Sequence, residues 1–279
     1  MRLARYEDKQ GRHVGVALES GKIVATPWSG FDGLFAEADP YAALLGIDLS
    51  SAEVASPDRL LAPVVDRAQV ISTGGNYGDH LEEAKNEIQA TEPVFFPFLW
   101  GAIIGPDDPI VIPRQDALTD YEVELCVVIG KKARHLTTEN AMDHVFGYTI
   151  LNDVSARDVM ARDIKQVMLC KSVDTFVPVG PHVVTKDEIA DPHALRIATY
   201  LNGEIRQDSL TGKMLNRIPE LLAALTRDIT LYPGDVVSTG TPGGIGYFRD
   251  PREFMAPGDV ITAEVEHVGR LTNRVVAGW

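Results

Sequence analysis

Basic residues are in short supply in this chain. Its 26 lysines and arginines stand against 40 aspartates and glutamates, for a formal net charge of −14. A surface this acidic repels phosphate backbones, and no basic run or Lys/Arg stripe interleaved with aromatics offsets it. Nucleic acid is therefore not expected as a partner. Cysteine is almost missing too. Cys126 and Cys170 are the whole complement, with Cys126 inside an apolar run, and two lone thiols do not make a disulfide framework. No stretch reaches the ~18 consecutive apolar residues of a membrane span, and the opening MRLARYEDKQ has no apolar signal core. A cytosolic protein without a membrane partner is the expectation. Several catalytic signatures are absent as well: there is no His-Glu-x-x-His, Cys-x-x-Cys or Gly-x-Ser-x-Gly. Gly212-Lys213 has Gln207 where a phosphate-binding loop carries its first glycine, and Met214 where it carries Ser or Thr. Gly240 to Gly246 reads as a turn with exposed backbone N–H groups, not a dinucleotide fingerprint.

What is present is ordinary globular material. Of the 279 residues, 45% are hydrophobic and 24% charged, enough for a sizeable core. The 24 glycines and 17 prolines spread along the chain favour short strands and many turns over a helix bundle. Residues 1–65 read as a small N-terminal β-rich domain, with strands at His13 to Leu18 and Lys22 to Thr26 around a Ser20-Gly21 turn. A polar, Ala-rich stretch through Ser50, Ser51 and Ser56 then leads to a main domain, residues 66–279. There, strand composition recurs at Pro109–Pro113, Tyr121–Ile129, Gly147–Leu151, Val177–Val184, Leu195–Leu201, Asp235–Ser238 and Asp259–Val265. Helices are fewer. Asp79 with Glu82 three later has capping-box spacing and predicts a helix over Asp79–Ile88, whose apolar stripe of Leu81, Ala84 and Ile88 is narrow. Ile218, Leu221, Leu222 and Leu225 recur at helical period. The class is α+β, mostly β, with a barrel-like or rolled sheet.

Three carboxylates carry the chemistry. On a strand, Glu122 and Glu124 share a face with Cα atoms roughly 6.5–7 Å apart. Alone they are as consistent with a solvent-facing strand end. Asp153, placed where the apolar run Tyr148–Leu151 gives way to a loop, adds a third. Oxygen-only ligands suit Mg²⁺ (or Mn²⁺) and not Zn²⁺, and the cation removes the repulsion among them. His80 and Glu83, three apart at a helix start, share a face. A carboxylate on one imidazole nitrogen fixes the tautomer and raises basicity at the other, as a water-activating base requires.

Gly75-Asn76-Tyr77 with Asp79-His80 and Glu83, Asp120-Tyr121-Glu122-Val123-Glu124-Leu125, Val128-Ile129-Gly130-Lys131, Gly147-Tyr148-Thr149 and Asn152-Asp153-Val154-Ser155-Ala156-Arg157-Asp158 follow in order. Lys171-Ser172, Asp174-Thr175-Phe176, Gly180-Pro181 and Thr239-Gly240-Thr241-Pro242-Gly243-Gly244 continue the series. Together they resemble the fumarylacetoacetate hydrolase family across residues 66–275. The resemblance implies a mixed β-roll catalytic domain, a small N-terminal domain and a homodimer. It also implies metal ligation by Glu122, Glu124 and Asp153, a water-activating dyad of His80 and Glu83, and Lys171 beside the developing enolate. Tyr77, Arg157 and Thr241 are implied near the substrate. Two positions depart from the family pattern. Met160 stands where many relatives have Gln, and Phe95-Phe96-Pro97-Phe98-Leu99-Trp100 replaces a segment that carries a lysine; as a run it reads as core packing. The expected reaction is hydrolysis of a C–C bond in a 2,4-dioxo acid of acylpyruvate type. Oxaloacetate decarboxylation, or isomerase or hydratase action on a related 2-oxo acid, is the alternative.

Overall fold

Every residue of the strand Val123–Ile129 is buried, and its alternating side chains enter two different cores. Val123, Leu125, Val127 and Ile129 pack with Ile197, Ala263, Val265 and Leu271. Cys126 and Val128 pack on the opposite side with Phe31, Leu34, Leu44 and Val183. A strand covered on both faces reads as one continuous apolar run, which is what the sequence shows from Leu125 onward.

In the computed structural model, which describes residues 1–49, 52–85, 92–114, 117–162 and 166–278, this strand lies inside an 11-stranded mixed sheet. It pairs antiparallel with Val145–Asn152 and with Val236–Ser238. Val236–Ser238 in turn pairs in parallel with Val70–Gly74, and Val94–Pro97 closes that edge. A second sheet of five strands packs against it, in the order Glu204–Leu210, Arg196–Leu201, Val260–Val265, Gly269–Ala277 and Ile110–Ile112. Few helices accompany the two sheets, so the α+β, mostly β class with the mixed sheets of a β-roll holds. The helix Ile218–Thr226 buries Ile218, Leu221, Leu222 and Leu225, as its period requires.

The first residues do more than the sequence shows. Gly11–Ala17 and Ile23–Ala25 form the anticipated hairpin. Ahead of them the strand Arg2–Asp8 pairs both with Gly11–Ala17 and with Val177–Thr185, so one sheet runs from the N-terminal residues into the main body. Its charged residues hid it: Arg5 is buried, its Nη1 donating to the Val64 carbonyl at 2.9 Å and its Nη2 to Asp66 at 2.6 Å. Two short helices, Phe31–Phe35 and Pro40–Leu45, stand where the sequence offered only a polar, Ala-rich stretch. They supply Phe31, Leu34 and Leu44 to the second core. Ser50 and Ser51 lie outside the described residues.

The capping-box reading of Asp79 is corrected. The helix is Gly78–Glu83, with Tyr77 at the N-cap and no side-chain cap. Asp79 instead ties the helix to distant chain, accepting from Ser209 Oγ at 2.6 Å, Lys213 Nζ at 3.0 Å and the Gly243 N–H at 3.2 Å. Glu83 adds a bond from the Gly244 N–H at 2.7 Å. These polar ties replace the broad apolar stripe that the helix lacks; Ile88 lies outside the described residues. Amide exchange over residues 81–84 is therefore expected to stay unchanged when Mg²⁺ and oxalate are added. A large gain in protection would show that the helix docks only on ligand binding.

Candidate active site

The central sheet ends in a group of acids. Glu122 stands one residue before the central strand and Asp153 one residue after Val145–Asn152; the Asp153 N–H donates to the Glu122 carbonyl at 2.8 Å. With Glu124, they bring carboxylate oxygens to within 4.8 Å of one another, all three side chains buried. Lys171, at the end of the short helix Val167–Lys171, bridges two of them, donating to Glu122 at 2.5 Å and Asp153 at 2.7 Å. Arg157 donates to Glu122 and, through Nε at 2.9 Å, to Asp120. Glu124 makes no ion pair among the described residues; Ser72 Oγ at 2.8 Å and Ser238 Oγ both donate to it.

These surroundings separate the acids. Burial works against charge on Glu122, but Lys171 and Arg157 outweigh it and hold the group at about 2. For Asp153, burial wins over the help of Lys171 and pushes it up to about 7. Glu124 is raised well above the usual carboxylate range by burial and by the neighbouring Asp153 and Glu122.

Opposite the acids, His80 Nδ1 meets Glu83 Oε1 at 2.8 Å. An ionised glutamate can only accept, so Nδ1 carries the proton and Nε2 keeps its lone pair. His80, Leu81, Val94, Phe96, the three acids, Arg157, Met160, Val167, Lys171, Thr241 and Phe248 line one cleft of about 270 Å³. Its walls have two characters. Part of the lining is the acid cluster; the rest includes the apolar side chains of Leu81, Val94, Phe96, Met160, Val167 and Phe248, with Phe96 under Lys171 Nζ at 5.8 Å and Met160 Sδ beside Arg157.

The acid cluster fits a divalent cation. Asp153 Oδ1 is buried with no hydrogen-bond partner among the described residues. Fully ionised, Asp120, Glu122, Glu124 and Asp153 exceed Arg157 and Lys171 by two negative charges. The donors are all oxygens, the set a hard cation such as Mg²⁺ or Mn²⁺ takes. Glu122, Glu124 and Asp153 would hold it.

A family model, that of the fumarylacetoacetate hydrolase C-terminal region, matches residues 69–276. The chain belongs to the fumarylacetoacetate hydrolase family. Over 217 residues it is 46% identical to the Bos taurus mitochondrial protein named oxaloacetate tautomerase FAHD2A, an alignment covering 77% of this chain and 69% of the relative. Among solved structures it matches a fumarylacetoacetate hydrolase from Exiguobacterium antarcticum with a TM-score of 0.86 and 37% identity, covering 100% of both chains. It likewise matches a 5-carboxymethyl-2-hydroxymuconate delta-isomerase from Mycobacterium smegmatis, with a TM-score of 0.77, 33% identity and 100% of both chains covered. This is an enzyme family of small-molecule substrates, and its members bear names from different reaction classes.

The family resemblance placed most of these residues in one cleft, and geometry brings Glu122, Glu124, Asp153, His80, Lys171, Arg157 and Thr241 to it, with Glu83 directly behind His80. Tyr77 is a correction. It is fully buried in the main core and absent from the cleft lining, because its backbone bridges to Met214 and turns the ring inward. The aromatic run is a second correction: Phe98 is buried, but Phe96 lines the cleft, and Leu99 and Trp100 are 50% and 52% exposed. Val94–Pro97 is an edge strand with few neighbours, so Phe95 and Phe96, which face different cores, are each only partly buried.

Four supporting residues were not foreseen. Ser72 and Ser238 hold Glu124; Asp120 holds Arg157 and accepts from the Gly246 N–H at 2.7 Å and the Tyr247 N–H at 3.1 Å. Gln207 holds Thr241 at 2.9 Å. Only the Asp120 carboxylate, two residues before Glu122, carried a local signal. The loop that Asp120 grips needs its glycines: Gly244 has φ +101°, and a Cβ there would sit 2.6 Å from the Arg206 carbonyl oxygen.

The raised acids make a pH prediction. Both Asp153 and Glu124 bind protons more tightly in the folded metal-free protein than in the unfolded chain. The contribution of Asp153 to stability is fully present below its ordinary carboxylate pKa and is lost as pH rises through about 7, and Glu124 acts in the same direction. Mg²⁺ competes with those protons, so its stabilising effect grows over the same window. Thermal unfolding from about pH 5 to about pH 8.5, in EDTA and in Mg²⁺, should show the two curves diverging upward in pH. Curves that stay parallel would refute it.

Proposed function

We propose that this protein is a divalent-metal-dependent enzyme that interconverts the keto and enol forms of oxaloacetate. The observation that carries the reading is the 2.8 Å contact of His80 Nδ1 with Glu83, which leaves Nε2 as the base, in one cleft with the acid cluster. The name of the 46% identical relative supports the choice of oxaloacetate. When bound by Glu122, Glu124 and Asp153, the cation supplies Lewis acidity toward the carboxylate and keto oxygens of a 2-oxo acid.

The chain's own residues do the rest. His80 Nε2 takes a proton from C3, and Glu83 stabilises the imidazolium that results. Lys171, already within reach of Glu122 and Asp153, is a side-chain cation beside the same acids that can stabilise the negative charge developing on the C2 oxygen. Returning the proton to that oxygen gives the enol, and returning it to C3 gives the ketone.

A second reading is hydrolysis of a 2,4-dioxo acid, in which His80 takes its proton from water and C3–C4 cleaves. The apolar part of the lining favours it, because Phe96, Val94, Met160, Val167 and Phe248 are side chains an acyl group can pack against. Decarboxylation of oxaloacetate would use the acid cluster without the base. One experiment separates the three. Enol absorbance and pyruvate release are followed with oxaloacetate and with a panel of acylpyruvates, in Mg²⁺ and in EDTA. Metal-dependent enol exchange without pyruvate supports the proposal; pyruvate from acylpyruvates supports hydrolysis; pyruvate from oxaloacetate supports decarboxylation. No acceleration of enol exchange sinks the first reading. A homodimer in the cytosol belongs to the same proposal, with light scattering and cell fractionation as its checks.

A further inference from the structure

Gln207 is locked in one orientation, and that orientation decides how Thr241 can bond. The amide is fully buried on the strand Glu204–Leu210. Its Oε1 accepts from the Val123 backbone N–H at 3.0 Å and from the Thr199 hydroxyl at 2.7 Å. Its Nε2 donates to the Pro242 carbonyl at 2.8 Å and to Thr241 Oγ1 at 2.9 Å. A backbone N–H only donates and a carbonyl only accepts, so a flipped amide would set donor against donor at one end and acceptor against acceptor at the other. Both amide hydrogens are thereby committed, and Thr241 Oγ1 must accept from Gln207.

A hydroxyl has one proton to give. That of Thr241 is not given to Gln207, and the hydroxyl makes no other hydrogen bond among the described residues. Thr241 lines the cleft beside Glu122, Glu124, Asp153 and Lys171.

We infer that Gln207 is a positioning residue that presets the Thr241 hydroxyl as a hydrogen-bond donor into the cleft, so that this position selects an unprotonated ligand oxygen such as a carboxylate oxygen. The inference rests on the 2-oxo acid reading above and adds to it the polarity of one contact. A ligand group that can only donate finds a donor facing it.

Gln207→Glu reverses the relay. A glutamic acid side chain, charged or neutral, holds at most one proton where the amide holds two, and the Pro242 carbonyl claims it. Thr241 must then donate to the acid and turn lone pairs toward the cleft. The probe is oxalate in the presence of Mg²⁺, titrated calorimetrically into the full chain, which needs no turnover. The dissociation constant for oxalate should rise about tenfold or more in Gln207→Glu, the usual worth of a hydrogen bond to a charged group. Thr241→Val should lose as much, Thr241→Ser little, and the double variant Gln207→Glu/Thr241→Val no more than Thr241→Val. Mg²⁺ affinity without oxalate should not change. A role confined to structure would lower the thermal midpoint and leave oxalate affinity unaltered. That result, or additive losses in the double variant, overturns the inference. Should Gln207→Glu fail to fold, Thr241→Val binding oxalate as tightly as wild type overturns it equally. If the wild type with Mg²⁺ does not bind oxalate, the 2-oxo acid reading falls and takes this inference with it.

Discussion

Glu124→Gln should strongly weaken Mg²⁺ binding and turnover while making the metal-free protein more stable. The change keeps the shape of the side chain and an oxygen to accept from Ser72 and Ser238. It removes a charge that is costly where it stands, since burial and the neighbouring Asp153 and Glu122 raise Glu124 well above its ordinary pKa. The new amide also donates toward those carboxylates instead of repelling them. Removing one of three charged ligands of a hard cation should weaken Mg²⁺ or Mn²⁺ binding by about 10²-fold or more, beyond the range seen for supporting residues. The thermal midpoint in EDTA should rise by about 2–4 °C, which ~1 kcal/mol is worth in a protein approaching this size. Calorimetric titration and thermal unfolding read the two effects separately. Wild-type metal affinity in the variant would remove Glu124 from the ligand set. A large fall in the midpoint without metal would mean that the acids serve the fold and not a cation.

His80→Ala should lower the rate of enol exchange by about 10²–10⁴-fold, the usual contribution of a general base. The imidazole is held by one bond to Glu83 at 2.8 Å and tilts against the Phe248 ring at 5.9 Å. Its removal breaks no hydrogen bond to the acid cluster, and Mg²⁺ affinity should stay within about twofold of wild type. The variant also ranks the reactions. Hydrolysis, which takes its proton from water, should fall by as much as enolisation, whereas loss of CO₂ from oxaloacetate needs no base and should fall least. Rates measured on oxaloacetate and on an acylpyruvate with the same preparation provide the comparison. An equal loss for decarboxylation would show that His80 acts on binding and not on a proton. Glu83→Gln should reproduce much of the defect: a glutamine rotated to present its N–H₂ would no longer fix the proton on Nδ1.

The limits of sequence reading are clearest around Glu124. That it would lie near Glu122 followed from the two-residue repeat of a strand, although Glu122 proved to stand just outside the strand proper. Asp153 was legible because an apolar run stops beside it. His80 and Glu83 were legible because one helical turn separates them. Each of these relations spans a few residues, and local backbone geometry settles it. The chain order of the motifs, matched to a family, then supplied Lys171, Arg157 and Thr241, whose convergence no local rule could give.

What the sequence could not contain is the set of partners that give those groups their properties. Ser238 reaches Glu124 from 114 positions away through pairing of Val236–Ser238 with the central strand. Ser72 comes from the parallel neighbour on the far side of that strand. Gln207 reaches Val123 across 84 positions and Thr241 across 34, from the opposing sheet. Tyr77 went astray for the same reason, since whether it faced core or cleft depended on a bridge to Met214. The sequence by itself determined the family, and it picked out the acids and the histidine that meet in one cleft. Register and sheet packing decided which acid stays charged, which hydroxyl must donate and which aromatic faces the cleft, because hydrogen bonds and burial are set by neighbours in space, and strand pairing draws those from anywhere in the chain.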